Sequence, residues 1–201
     1  MDENKNKYLL GLTGSIGMGK STAAKMFVRR GFSVWDADAA VHDLYSLGGS
    51  AVEPIRSLFP DAVKNGFVDR PVLAAWLMAS GERIEKLEEI VHPLVAAHRK
   101  NFIQTTENSL QLFDIPLLFE TGADEWLSSV AVVTTDAETQ KNRVMEREGM
   151  TQEKLALILD RQLPDSEKRK RADHLIFSDT LESAEKCVND IVEEIRGRMD
   201  A

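Results

Sequence analysis

Cysteine is all but missing: Cys187 is the one thiol in 201 residues. No disulfide can close within the chain, and a reducing compartment is the expectation. Histidine is scarce too. His42, His92, His98 and His174 include no i, i+4 pair, which excludes a helical two-histidine metal site. Basic charge falls short of acidic charge, with 25 Lys and Arg against 33 Asp and Glu and a net charge of −8. A surface that acidic argues against nonspecific binding to nucleic acid or to an anionic membrane. Nowhere do about 18 apolar residues follow one another, as a membrane-spanning helix needs. The opening MDENKNK is polar and leads into a short apolar run, unlike a signal peptide. Repeats and low-complexity linkers are also lacking. The expectation is a cytoplasmic protein with no nucleic-acid or membrane partner, its composition leaving monomer and homotrimer both open.

What is present is regular. Five nearly continuous apolar runs bounded by turn residues predict strands: YLLGLT (8–13), FSVWDA (32–37), LQLFDI (110–115), SVAVVTT (129–135) and HLIFS (174–178). The lack of alternation suits strands covered on both faces of a parallel sheet. Helical patterns lie between them, so the class is α/β in three layers. From 37 to 108 only helical patterns occur, over 38–47, 51–59, 70–79, 82–91 and 93–105. A crossover between parallel strands needs about a dozen residues, so an interval of about 70 reads as a helical insertion suited to a substrate lobe. Helices over 137–148 and 152–162 flank the tripeptide GMT. Gly149 suits a left-handed helix end, Thr151 suits an N-cap, and the pair suits a mobile lid.

Gly14-Ser15-Ile16-Gly17-Met18-Gly19-Lys20-Ser21 matches G-x-x-x-x-G-K-[ST] between the first strand and a helix starting near Gly19. Glycines at these places let backbone N–H groups turn inward around phosphate oxygens, and the helix dipole faces the same anion. Lys20 would reach the β- and γ-phosphates, and the Ser21 hydroxyl would sit on Mg²⁺. The D-x-x-G and N-K-x-D strings of switch GTPases do not occur. A kinase built on this loop needs a carboxylate for its acceptor and cations around the moving phosphoryl group.

Carboxylates stand at strand ends. Asp36 and Asp38 follow the second strand, where ligand crevices of open α/β sheets lie; the plainer role for Asp38 is to cap the next helix. Asp114 ends the third strand at the usual place of a metal-side acid, and Glu120 suits either a site or a helix cap. Arg143 and Arg147, four apart, share one helix face within the lid; guanidinium forks suit spread phosphoryl charge, whereas the bland alternative is a solvated helix with Glu146 and Glu148 as partners. Most of the basic run 168–171 reads as an exposed face. His92 precedes Pro93, so VHPLV reads as a helix junction with Pro93 opening the next helix. Trp35, Trp76 and Trp126 read as packing residues.

Taken in order, LTGSIGMGKST, WDADAAVHDLY, EEIVHPLV, FDIPLLFET and RVMEREGMTQEKL…RQLP…KRKRAD resemble the dephospho-CoA kinase family over nearly the whole chain. The resemblance implies a P-loop kinase fold with a parallel five-stranded sheet. It implies transfer of the γ-phosphoryl group of ATP, with Mg²⁺, to the ribose 3′-hydroxyl of dephospho-CoA, the last step of coenzyme A synthesis. Residues 1–36, 108–136 and 164–201 would form the nucleotide-binding core, 37–107 the acceptor lobe and 137–163 the lid. Asp36 would be the base, with Lys20 and Arg147 also catalytic. Gly14, Gly17, Met18, Gly19, Lys20, Ser21, Thr22 and Arg143 would bind ATP; Asp38, His92, Asp114 and Leu117 would bind the acceptor. Ser21, with Asp36 or Asp114 through water, would hold Mg²⁺. Another acceptor, such as a nucleoside monophosphate, and a nucleotide-dependent regulatory protein are the alternatives. Two departures stand out. Met18 replaces a small residue, its backbone N–H being expected still to serve, and LIFSDT, with Ser178 and Asp179, replaces a glycine-containing turn near the adenine.

Overall fold

The computed structural model describes residues 7–200. In chain order the elements are β1 (Tyr8–Thr13), α1 (Lys20–Arg29), β2 (Ser33–Asp36), α2 (Ala37–Tyr45), α3 (Val52–Leu58), β3 (Val63–Lys64), β4 (Phe67–Val68), α4 (Arg70–Leu77) and α5 (Gly81–Thr105). There follow β5 (Leu110–Asp114), β6 (Ser129–Thr134), α6 (Ala137–Met145), α7 (Gln152–Asp160), α8 (Asp165–Arg171), β7 (His174–Phe177) and α9 (Leu181–Met199). Two compact units divide the chain: one holds the residues up to Val34 and from Glu107 onward, the other Trp35–Thr106. Among the described residues no helix is long and apolar enough to cross a membrane.

The first unit is built on a parallel five-stranded sheet in the order β2-β5-β1-β6-β7. Every residue of β1, β5 and β6 is buried, which is why their sequences run apolar without alternation. The pleat still sorts side chains by face. Leu10, Leu12 and Leu112 join Met26 and Phe27 of α1 and Val188, Ile191 and Ile195 of α9 in one core. Each fully buried Phe or Ile there contributes about 1.5–3 kcal/mol. Phe113, one residue out of phase with Leu112, instead packs against Trp126 in a T-shaped contact with ring centroids 5.0 Å apart. α9 carries its apolar residues at helical spacing (Ala184, Val188, Ile191, Ile195) and begins at a capping box between Thr180 and Ser183.

The second unit has its own core, in which Leu44, Tyr45, Val52, Ile55, Leu73 and Val91 are buried. The Trp76 ring stacks on Phe59 at 4.9 Å and lies under the Arg83 guanidinium, also at 4.9 Å. Trp35 donates its Nε1–H to His98 Nδ1 at 3.0 Å, so His98 carries its proton on Nε2 when neutral. Two expectations fail here. The interval is not wholly helical: β3 and β4 form a small antiparallel hairpin through Asn65 and Gly66, both at positive φ, the I′ turn that Asn-Gly favours. And residues 81–105 form one helix rather than two, with Pro93 inside it. The missing Pro93 N–H costs one rung. Leu87, Ile90, Val91, Leu94 and Val95, on both sides of the proline, pack into the same core and carry the helix through.

Candidate functional site

β1 ends at Thr13, and the chain turns through Gly14–Gly19 before α1 starts at Lys20. Gly17 and Gly19 sit at φ 81° and 88°, a backbone that side chains resist. Gly17 is doubly constrained, because a Cβ there would lie 2.5 Å from Val144 Cγ2 on α6. Met18 donates its N–H to the Ser15 carbonyl at 3.1 Å, closing a tight turn. Its side chain is buried, the sulfur accepting the Thr135 N–H at 3.3 Å. Ser21 and Thr22 stand exposed in the first turn of α1, where their hydroxyls and the helix N-terminus are open to a ligand.

Parallel pairing sets Leu12 of β1 against Asp114 of β5, so the carboxylate arrives beside the phosphate loop. Lys20 donates to Asp114 Oδ1 there, and Asp114 is buried. A cation of the loop and a strand-end carboxylate thus share one place, although 94 residues separate them in sequence.

Next to the loop lies a cleft of about 390 Å³. The loop contributes Gly17, Gly19 and Thr22; the helical hairpin contributes Arg143 and Arg147; the far wall is the turn from Ser178 to Leu181. Arg143 is held firmly, donating to Ser178 Oγ at 3.1 Å and to its carbonyl at 2.7 Å. Ser178 Oγ in turn donates to the Met18 carbonyl at 2.7 Å. Asp179 accepts the Thr135 hydroxyl at 2.7 Å. Ser178 therefore ties the hairpin to the loop at Met18. Arg147 does not share a helix face with Arg143 as expected, since α6 stops at Met145 and Arg147 lies in the turn beyond. Gly149, at φ 70°, sits in that turn and not at the end of α6, whereas Thr151 caps α7 as its type predicts. Arg147 is exposed, and among the described residues neither Glu146 nor Glu148 pairs with it.

Asp36, Asp38, His92 and Leu117 are not among the residues that line this cleft. In the second unit Asp36, exposed, is the N-cap of α2 and accepts the Ala39 N–H at 2.9 Å; the capping role falls to it and not to Asp38, which sits in the helix's first turn. His92 is exposed on α5, within the helix and not at a junction. Leu117 follows Pro116 in a turn closed by Thr121, which donates to its carbonyl through N–H and hydroxyl.

Glu120 neither caps a helix nor faces the cleft. It accepts the Leu163 N–H at 2.7 Å and pairs at 2.9 Å with Lys168, whose side chain is fully buried. Burial alone would raise its pKa, but the Lys168 ammonium and the Leu163 N–H prevail and hold it below the ordinary glutamate value. Arg171, in the same basic run, pairs with Asp124 and lies over Phe119 at 4.4 Å. Lys168 alone of that run is buried; Arg169, Lys170 and Arg171 are exposed, as expected for most of it.

The sequence model of the dephospho-CoA kinase family matches residues 8–183, which span the loop, both arginines and the turn at Ser178. The chain belongs to this family. A Ruegeria pomeroyi protein named dephospho-CoA kinase is 50% identical over 189 residues, covering 94% of this chain and 96% of its own. A crystal structure from Thermus thermophilus superposes with a TM-score of 0.84 at 33% identity, over 94% of this chain and 98% of that one. A Campylobacter jejuni structure described as dephospho-CoA kinase gives 0.66 at 25% identity, over 94% and 97%. Membership leaves the tie through Ser178 as a property read from this chain.

Proposed function

We infer that this chain is a kinase that phosphorylates dephospho-CoA with ATP in coenzyme A biosynthesis. What carries the reading is the phosphate loop with Lys20 held at Asp114, beside an arginine-lined cleft, within a chain matched to the family over residues 8–183. In the proposed reaction the ribose 3′-hydroxyl oxygen bonds to the γ-phosphorus as the bond from that phosphorus to the β,γ-bridging oxygen breaks, and ADP leaves. Asp36 takes the hydroxyl proton. Lys20 and Arg147 meet the negative charge of the transferring group, where positioning and electrostatics supply most of the catalysis. Arg143, held by Ser178, shapes the cleft wall, and Thr22 and the α1 N-terminus meet phosphate oxygens. Asp38 and His92 are proposed acceptor contacts.

Mg²⁺ fits the donor set. Among the described residues no three His, Cys, Asp or Glu side chains cluster, and Mg²⁺ bound chiefly by phosphates and water needs no such cage. The exposed Ser21 hydroxyl would hold it, with Asp36 or Asp114 through water. When bound, the ion neutralises phosphate charge. A cytoplasmic place of action suits the lone cysteine.

An ADP-release assay with ATP and a panel of acceptors tests the reading. Turnover is expected with dephospho-CoA; turnover with a nucleoside monophosphate but not dephospho-CoA would overturn it. Arg147→Ala is expected to lower kcat more than it weakens ATP binding, because the exposed guanidinium has no ion-pair or hydrogen-bond partner to lose among the described residues. Equal losses in both would make Arg147 a binding residue only.

A further inference from the structure

Ile16, in the middle of the phosphate loop, has both backbone polar groups taken by glutamine side chains. Its N–H donates to Gln162 Oε1 at 3.2 Å, and its carbonyl accepts from Gln140 Nε2 at 2.8 Å. A backbone N–H can only donate and a carbonyl can only accept, so these partners dictate which way each carboxamide faces. Gln140 lies on α6 and Gln162 just beyond the end of α7. The two ends of the helical hairpin therefore grip one loop residue. Gln140 is buried, and its own carbonyl would lie 3.0 Å from a Cβ on Gly17. On the other side, Leu163, adjacent to Gln162, is fixed by Glu120. The grip is thus anchored at both roots.

We propose that Gln140 and Gln162 are positioning residues for the nucleotide. They hold the loop through Ile16, which keeps the backbone from Gly17 to Lys20 in the shape a phosphate needs, and they tie the placement of the hairpin arginines to that shape. The proposal rests on the reading that this loop binds ATP phosphates, but not on the identity of the acceptor.

The two contacts have opposite polarity, and isosteric variants exploit this. Gln140→Glu sets a carboxylate against the Ile16 carbonyl, and Gln140→Met removes the donor without that repulsion. Each is expected to weaken binding of a fluorescent ATP analogue by roughly tenfold, the size of one buried hydrogen bond lost with its partner left unpaired. Gln162→Met is expected to show a similar loss, which Gln162→Glu recovers because a carboxylate still accepts the Ile16 N–H. Thermal midpoints measured alongside identify any variant that fails to fold, and the methionine variant then decides for Gln140. Unchanged affinity in Gln140→Met, or equal effects of Glu at the two positions, would overturn the proposal, since a packing role does not distinguish donor from acceptor. Failure of wild-type protein to bind the analogue would overturn it as well. Analogue binding with the expected variant pattern but no turnover of dephospho-CoA would sink the acceptor assignment and leave the glutamine grip standing.

Discussion

Asp36→Asn is expected to lower kcat at least about a hundredfold while ATP still binds, the range of general-base effects. The substitution is clean for a structural reason. Asp36 caps α2 through Oδ1, and asparagine caps a helix about as well as aspartate. The start of α2 therefore survives, and what goes is the negative charge and the capacity to take a proton. Asp36→Ala would mix that loss with a cap loss of about 1 kcal/mol. Steady-state rates with dephospho-CoA, ATP-analogue affinity and a thermal midpoint separate the effects. If Asp36→Asn turns over at the wild-type rate, the aspartate is a cap and nothing more.

The sheet was legible because burial on both faces leaves a strong mark. All five runs of the parallel sheet begin and end within one residue of the observed strands, since a covered strand has no solvent face to carry polar residues. The phosphate loop was legible for a different reason: its whole chemistry lies within eight consecutive residues. Errors fell where a local signal met tertiary packing. Pro93 reads as a break, yet buried Val91 and the partly buried Leu87, Ile90, Leu94 and Val95 pack into one core and hold a continuous helix around it. The Asn65-Gly66 turn carried a hairpin signal that two-residue strands were too short to reinforce. α6 stops three residues early, and that takes Arg147 off the helix face its spacing suggested.

The least visible part of the site is its bracing. Gln140 reaches Ile16 across 124 residues, Gln162 reaches it across 146, and Ser178 reaches Met18 across 160. No spacing rule connects such residues, and glutamine or serine on a polar stretch gives no compositional hint. Met18 shows the limit in a single residue: the motif allows any side chain there, but only the folded loop reveals that its N–H closes a turn to Ser15. Lys168 is the same lesson in charge. Among four consecutive basic residues it is indistinguishable in sequence, yet α8 points it inward to Glu120 with its side chain wholly removed from solvent.

That burial makes Glu120→Gln a substantial expected stability loss. The amide still offers an oxygen to the Leu163 N–H, so the hairpin's exit keeps its anchor. What it removes is the countercharge of a fully buried ammonium; Glu120 is itself partly exposed, and leaving the buried donor without its partner costs about 1–3 kcal/mol. For a chain of this size that corresponds to a fall in thermal midpoint on the order of 2–12 °C. Glu120→Gln combined with Lys168→Met is expected to recover most of the loss, because an apolar side chain of similar length needs no partner. The pH dependence carries the same sign. With the folded pKa of Glu120 held below its ordinary value of about 4.3, the carboxylate's contribution is complete above that pH and is lost as pH falls through the folded value. Wild-type protein therefore loses stability through that acid window more steeply than Glu120→Gln. An unchanged midpoint in the single variant, or a double variant no better than the single, would show that Lys168 finds solvent or another acceptor once Glu120 is neutral.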